Sequence, residues 1–293
     1  MAAIIVALAA LPAPASPTDR YFRGPDGELL PFATRAELVE FLRSAEVVSW
    51  SEIADGSTRP KKVLLEKDGV RAHGIFRSFE RVQERIEDPD NGLTRHGAFK
   101  DSAMFEAAAY ELATLLELPF VPPTARRVID NRDGTLQLWI EAAMSEKERQ
   151  ERVLEPPNAT WWRGVLQTLV IFDNLIFNAD RNTGNLLIDA DWDVWFIDHT
   201  RAFQTRRDLR NPQFITFCER RLWERLSSLT DDEIRRSMSA YLDGREIGAL
   251  IRRRARIVEH IEKLIAEKGP DAVLFDYEYD VSTWSRSDRP TPD

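Results

Sequence analysis

The stretch that most restricts the fold is residues 161–200, WWRGVLQTLVIFDNLIFNADRNTGNLLIDADWDVWFIDHT. Its first part, residues 161–178, is long, strongly apolar and helical in period, so it predicts a buried helix. A polar loop follows, then two short apolar runs, 186–188 and 194–197, read as strands joined by the turn DADWD. Asp180 and Asn185 lie five residues apart in the loop that leaves the helix. Asp198 sits thirteen beyond Asn185, just after the second strand. A two-stranded hairpin returns the chain to its starting edge, so these three side chains are predicted to meet. Such oxygen ligands suit Mg²⁺, which takes few protein ligands and completes its shell with water and phosphate. Asp180 would then accept a proton from, or orient, an attacking hydroxyl.

The chain around this stretch divides into a β-rich half and an α-rich half, an α+β organisation. Thr34 is an N-cap candidate for a helix over 34–45, with Leu38, Phe41 and Leu42 at helical spacing. Strands are predicted over 47–53, 61–67 and 70–78, the last two joined by a hairpin at Asp68-Gly69. Residues 80–100 read as polar and irregular, with Pro89 and Asn91-Gly92 as breakers. A helix over 101–118, capped by Asp101 or Ser102, gathers Phe105, Ala108, Leu112, Leu115 and Leu116 on one face. VPPTARRVI and TLQLWIEAAM add two strands around a turn at Asp133-Gly134. After the hairpin at 186–197 come helices over 219–228, 231–242 and 245–267. The expected organisation is a first lobe over 16–142, a second over 143–268 and a tail over 269–293. A boundary between lobes makes a natural cleft for a ligand.

A net charge of −9 argues against a nucleic-acid partner. A single cysteine, Cys218, excludes an intramolecular disulfide and reads as a small buried hydrophobe. Residues 2–11 are apolar and uncharged but too short for a stable membrane span. PAPAS then supplies Ala13 and Ala15 at cleavage-site spacing. Residues 1–15 are therefore expected to be a secretory signal peptide, although no Lys or Arg precedes the apolar run. Export is the expected localisation; the alternative, a disordered apolar leader or a misassigned start codon, implies a cytoplasmic protein.

DRNTGN followed by two strands and IDH resembles the catalytic segment of the protein-kinase-like superfamily. The resemblance is closest to atypical members: phosphatidylinositol 3/4-kinases, HipA-type kinases and secretory-pathway kinases of the Golgi casein kinase type. It implies a two-lobed kinase-like fold with a small β-rich first lobe and a larger helical second lobe. It implies Asp180 as the catalytic Asp, with Asn185 and Asp198 as ligands of Mg²⁺ or Mn²⁺. ATP would be the phosphoryl donor, and the hydroxyl of a protein, lipid or small molecule the acceptor. In the first lobe, DGSTR stands where a phosphate-covering loop belongs, with Gly56, Ser57 and Thr58 as its contributors. Arg77 occupies the place of the phosphate-binding Lys, and Glu106 is placed to pair with it. LQLWIEAAM resembles the hinge strand that receives adenine, with Trp139 and Glu141 on its edge.

The sequence departs from the pattern at three points: Asn182 replaces the His of lipid kinases, His199-Thr200 replaces Phe-Gly, and Arg77 replaces Lys. Arg is longer and more rigidly forked than Lys. The last two departures, His199-Thr200 and Arg77, motivate a second reading, a catalytically weak pseudokinase that binds nucleotide or a partner. A Ca²⁺ loop starting at Asn178 would need Gly sixth and Glu twelfth; Thr183 and Asp189 stand there instead. Asp173 and Asn178 are expected to support the loop backbone, and Asp189, Asp191 and Asp193 to be turn residues. Arg181 is expected to pair with a carboxylate or with a substrate phosphate, and Arg201 to bind substrate or brace the loop. His199 reads as a structural neighbour of Asp198, the basic run Arg252–Arg256 as a solvated face, and His73 as without a role.

Overall fold

A computed structural model describes residues 22–53, 60–87 and 94–277. The expected signal peptide, residues 1–15, and the expected phosphate-loop residues Gly56, Ser57 and Thr58 lie outside the described residues.

Helix α1 (Arg35–Ser44) starts at Thr34, whose side chain and Glu37 form a reciprocal capping box, and it buries Leu38, Phe41 and Leu42. Strands β1 (Glu46–Glu52), β2 (Lys61–Lys67) and β3 (Val70–Arg77) follow as antiparallel neighbours. Asp68 and Gly69 both have positive φ, 51° and 77°, the geometry of the tight hairpin expected there. Residues 80–87 and 94–100, expected to be irregular, are strands: β4 (Glu80–Glu87) and β5 (Thr94–Ser102) pair as a separate antiparallel ribbon. Its sequences, ERVQERIE and TRHGAFKDS, show little of the apolar alternation by which half-buried strands are recognised. Because β5 runs through Asp101 and Ser102, helix α2 (Met104–Leu115) begins later than expected and has no side-chain cap at Ala103.

Strands β6 (Thr124–Ile129) and β7 (Arg132–Leu138) turn at Asp130-Asn131, with φ of 52° and 60°, and not at Asp133-Gly134. Gly134 lies inside β7, where a Cβ would stand 2.2 Å from the Arg77 carbonyl oxygen. It is a glycine for close approach, not for a turn. The main sheet runs β1-β2-β3-β7-β6.

Strand β8 (Met144–Ser145) and helix α3 (Glu146–Glu151) lead to helix α4 (Ala159–Ile176), the buried helix expected from its period. Strands β9 (Leu186–Ile188) and β10 (Val194–Phe196) form the expected hairpin and extend it through β8. The remainder is β11 (Cys218–Glu219), α5 (Arg220–Ser228), α6 (Asp231–Met238), α7 (Gly244–Lys268), α8 (Pro270–Val273) and β12 (Leu274–Phe275). Cys218 is buried, as expected. An aromatic seam joins the sheet side to the helical side. Phe120 stacks on Phe196 with centroids 5.0 Å apart, and the Phe196 amide donates to the Phe120 carbonyl at 2.7 Å. No described helix is long and apolar enough to cross a membrane.

The basic run on α7 is not wholly solvated. Arg253 is fully buried and donates to the carbonyls of Leu175, Gln204 and Arg206. It belongs to a set of pins that hold residues 204–216 against α4 and α7. Asn211 N donates to Asn174 Oδ1 at 2.9 Å, Gln167 Nε2 to the Phe214 carbonyl at 2.9 Å, and His260 Nε2 to the Ile215 carbonyl at 2.9 Å.

Candidate active site

Helix α4 stops at Phe177, whose left-handed φ of 52° turns the chain out of the helix. Asn182 Oδ1 accepts from Gly184 N at 2.8 Å and starts a single 3₁₀ turn over Thr183–Asn185. That turn carries Asn185 back towards Asp180: Asn185 Nδ2 donates to the Asp180 carbonyl at 3.1 Å. The bond fixes the amide so that Oδ1 is left for another contact. Beyond the hairpin, Ile197 N donates to the Asn185 carbonyl at 3.2 Å. Asp198 comes next, with φ of 59°, a left-handed conformation uncommon for a residue with a side chain. The hairpin therefore brings the loop that holds Asp180 and Asn185 beside the residue that precedes Asp198. Asp189 serves the turn, as expected: Oδ1 accepts from Asp191 N and Asp193 N, each at 2.9 Å, and Oδ2 from Trp195 Nε1 at 2.9 Å.

The β-rich half reaches this loop through two buried charges. Arg77 is the last residue of β3 and Glu106 lies in the first turn of α2; their charged atoms are 3.7 Å apart. The other Glu106 oxygen meets His199 Nδ1 at 3.1 Å, and Ser102 N donates to the Thr200 carbonyl at 2.8 Å. His199 has no exposed surface, in keeping with a structural neighbour of Asp198. Burial disfavours a charged Glu106, yet Arg77 and the His199 contact outweigh it and hold the carboxyl down at about 2. Asp198 moves the other way. Burial and the Glu106 charge raise its pKa, with a smaller push from Asp180, and Arg77 and His199 oppose them. Asp198 thus senses Glu106, Arg77 and Asp180 at once.

The outer rim is braced by Arg201. Its Nη1 donates to Asp180 Oδ2 at 3.0 Å and its Nε to Asp101 Oδ2 at 3.2 Å. Of the two roles open to Arg201, bracing is the one with contacts. Asp101, expected as a helix cap, is instead part of this rim. Arg181 pairs with a carboxylate, Asp173. The hinge residues lie elsewhere. Trp139 N is committed to the His73 carbonyl at 3.0 Å, and Glu141 Oε1 meets His73 Nδ1 at 2.6 Å, so His73 does have a role. Trp139 and Glu141 line a shallow crevice with Phe22, Arg23, Ile140 and the Asp189–Asp191 turn, which does not include Asp180, Asn185 or Asp198.

Four buried polar atoms around the loop make no hydrogen bond within the protein: Asp101 Oδ1, His199 Nε2, and Arg77 Nη1 and Glu106 Oε1, which face each other at 3.7 Å as an ion pair. Such atoms are costly unless something polar meets them. A cationic nitrogen beside carboxylates whose charges repel fits an anionic phosphate together with a divalent cation. Among the described residues no three His, Cys, Asp or Glu side chains form a metal-sized group. Mg²⁺ does not need one, since one or two carboxylates and phosphate oxygens suffice.

No family model matches the chain, and no curated protein matches it. Solved structures do. The structure of hydra Fam20 with sugar superposes with a TM-score of 0.61 at 16% identity, over 83% of this chain and 92% of that one. The Golgi casein kinase gives 0.57 at 16% identity, over 82% and 79%. The same kinase with Mn/ADP bound gives 0.56 at 16% identity, over 82% and 78%. The fold is the protein-kinase-like one. An antiparallel sheet and α2 make its β-rich part, and α4 to α8 make its helical part, as the resemblance of the DRNTGN segment implied.

Proposed function

We propose that this protein is an ATP-dependent kinase that transfers the γ-phosphoryl group to a hydroxyl of a protein, lipid or small-molecule acceptor. The observation that carries the reading is the buried Arg77–Glu106 pair, delivered by β3 and α2 to the loop of Asp180, Asn185 and Asp198. Arg77, steadied by Glu106, holds the inner phosphates through Nη1, which faces Glu106 at 3.7 Å but makes no hydrogen bond within the protein. Asn185 Oδ1 and the Asp198 carboxylate hold the metal ion. When bound, Mg²⁺ or Mn²⁺ neutralises charge on the phosphates. Asp180, half-exposed and aligned by Arg201, orients the acceptor hydroxyl and receives its proton. The segment around Trp139 and Glu141 is assigned to the adenine, and Gly56, Ser57 and Thr58, which lie outside the described residues, to the phosphates.

In this reading residues 16–142 form the first lobe, 143–268 the second and 269–293 a tail, with residues 1–15 a cleaved signal peptide. Similarity to the Golgi casein kinase supports export, and the Mn/ADP bound to that kinase supports nucleotide and divalent metal use. A second reading has its own observation. Arg77 stands where a Lys is usual, which favours a nucleotide-binding pseudokinase. A thermal-shift screen with ATP, GTP, Mg²⁺ and Mn²⁺ tests both: the site predicts a shift that needs metal and nucleotide together. Turnover that disappears in Asp180→Ala while the shift persists supports the kinase. A shift without turnover in the parent supports the pseudokinase.

A further inference from the structure

Asp180, Asn185 and Asp198 reach the site from separate stretches of chain, yet one carboxylate touches the supports of all three. Asp173, in the last turn of α4, accepts from Arg181 Nε at 2.9 Å, from Arg181 Nη2 at 3.1 Å and from Asn178 Nδ2 at 3.1 Å. The remaining Arg181 nitrogen, Nη1, donates to the Asn185 carbonyl and, at 2.9 Å, to the Ile197 carbonyl. Asn178 Oδ1 accepts from the Asp180 amide at 3.1 Å. Asp173 and Arg181 are each only 15% exposed, so solvent competes weakly for these bonds.

We propose that Asp173 and Arg181 are the positioning unit of the metal ligands, and that Arg181 acts on backbone carbonyls and not on a substrate phosphate. This rests on the kinase reading above. The chemistry explains the residue type. A guanidinium can grip a carboxylate with two nitrogens and still aim a third at two carbonyls; a lysine ammonium has no fork to do so. The carbonyls it holds belong to Asn185 itself and to the residue before Asp198, so it fixes the peptide planes from which both ligands project. Mg²⁺ demands near-ideal octahedral geometry, so small ligand displacements are felt as lost affinity. Loss of such an outer partner typically weakens metal binding about 10–100-fold. Asn178 makes a separate branch that holds Asp180 alone.

The test uses the full chain with Arg181→Lys, Asp173→Asn and Asn178→Ala. Melting without ligand reports folding. The Mn²⁺ concentration that gives half the ATP-dependent thermal shift reports ligand geometry. Arg181→Lys and Asp173→Asn are expected to need at least about tenfold more Mn²⁺. Their double variant is expected to need little more than the worse single, because the two act as one unit. Asn178→Ala is expected to keep the parent's Mn²⁺ requirement within about twofold and to lose turnover instead, a kcat effect, as it carries Asp173's hold to the Asp180 amide and makes no bond to the Asn185 or Ile197 carbonyls. An unchanged Mn²⁺ requirement in folded Arg181→Lys overturns the proposal. So does weaker metal-free ATP binding with the Mn²⁺ requirement intact, which would put Arg181 on phosphate. If the ion-pair variants do not fold, the Asn178→Ala split decides: a raised Mn²⁺ requirement there overturns the two-branch assignment. A parent with no metal-dependent nucleotide shift ends the kinase reading and this inference together, whereas variants that respond like a responsive parent end only the inference.

Discussion

Glu106→Gln removes one charge from a buried trio and leaves its volume almost unchanged. In the parent, burial works against the carboxylate, but Arg77 and His199 hold its pKa at about 2, below the ordinary 4.5. A depression of that size corresponds to about 3 kcal/mol of stability at neutral pH. Removal of one partner from a buried ion pair gives an independent expectation of about 3–5 kcal/mol, because Arg77 is left buried without a carboxylate. At roughly 2 °C per kcal/mol for a chain of this length, the melting temperature should fall by about 6 °C. The sign of the pH dependence follows from the direction of the shift. The folded pKa lies below the unfolded one, so the unfolded chain binds more protons between the two values. The stabilisation is complete above about pH 4.5 and is lost as the pH falls towards about 2. Urea denaturation of parent and variant at about pH 7, 5 and 3.5 measures this. The gap should be equal at the two higher values and narrower at the lowest. A variant as stable as the parent at neutral pH, or a gap constant with pH, would refute the account of Glu106 as an ionised partner of Arg77.

Asp180→Ala should lower turnover by about 10²–10⁴-fold, measured by phosphate transfer or ATP hydrolysis, and should keep the nucleotide-dependent thermal shift. Chelation of divalent metal by EDTA should abolish that shift and leave the ligand-free melting temperature unchanged, because no structural metal group is found among the described residues. Arg253→Met deprives three carbonyls of a donor but relieves a buried charge, so a net loss of about 2 kcal/mol is expected in chemical denaturation. Asp189→Ala removes the acceptor shared by two turn amides and the Trp195 indole and should cost about 2 kcal/mol by the same measurement.

The helix over 161–178 and the hairpin after it were legible because period and turn chemistry there agree with the final packing. The loop triad followed from the hairpin, and the Arg77–Glu106 pair from the superfamily resemblance. Other features left no local trace. Arg201 meets Asp101 and Asp180 across 100 and 21 positions, a contact that only the tertiary fold creates. Arg253 is one of several arginines in a run that looks solvated, and only the carbonyls gathered around it explain its burial. Gly134 misled the turn assignment because glycine serves close backbone approach as well as positive φ. The β4–β5 ribbon escaped because its sequence carries almost no apolar alternation.

The strip that follows Asp198 is stapled by its own backbone to two long helices, through Arg253, Asn174, Gln167 and His260. To swing it aside would sever those staples together and strand a cation in the interior. The site is therefore armed by folding itself. Under the proposed reading, control falls to what arrives from outside: the supply of metal, of nucleotide and of an acceptor.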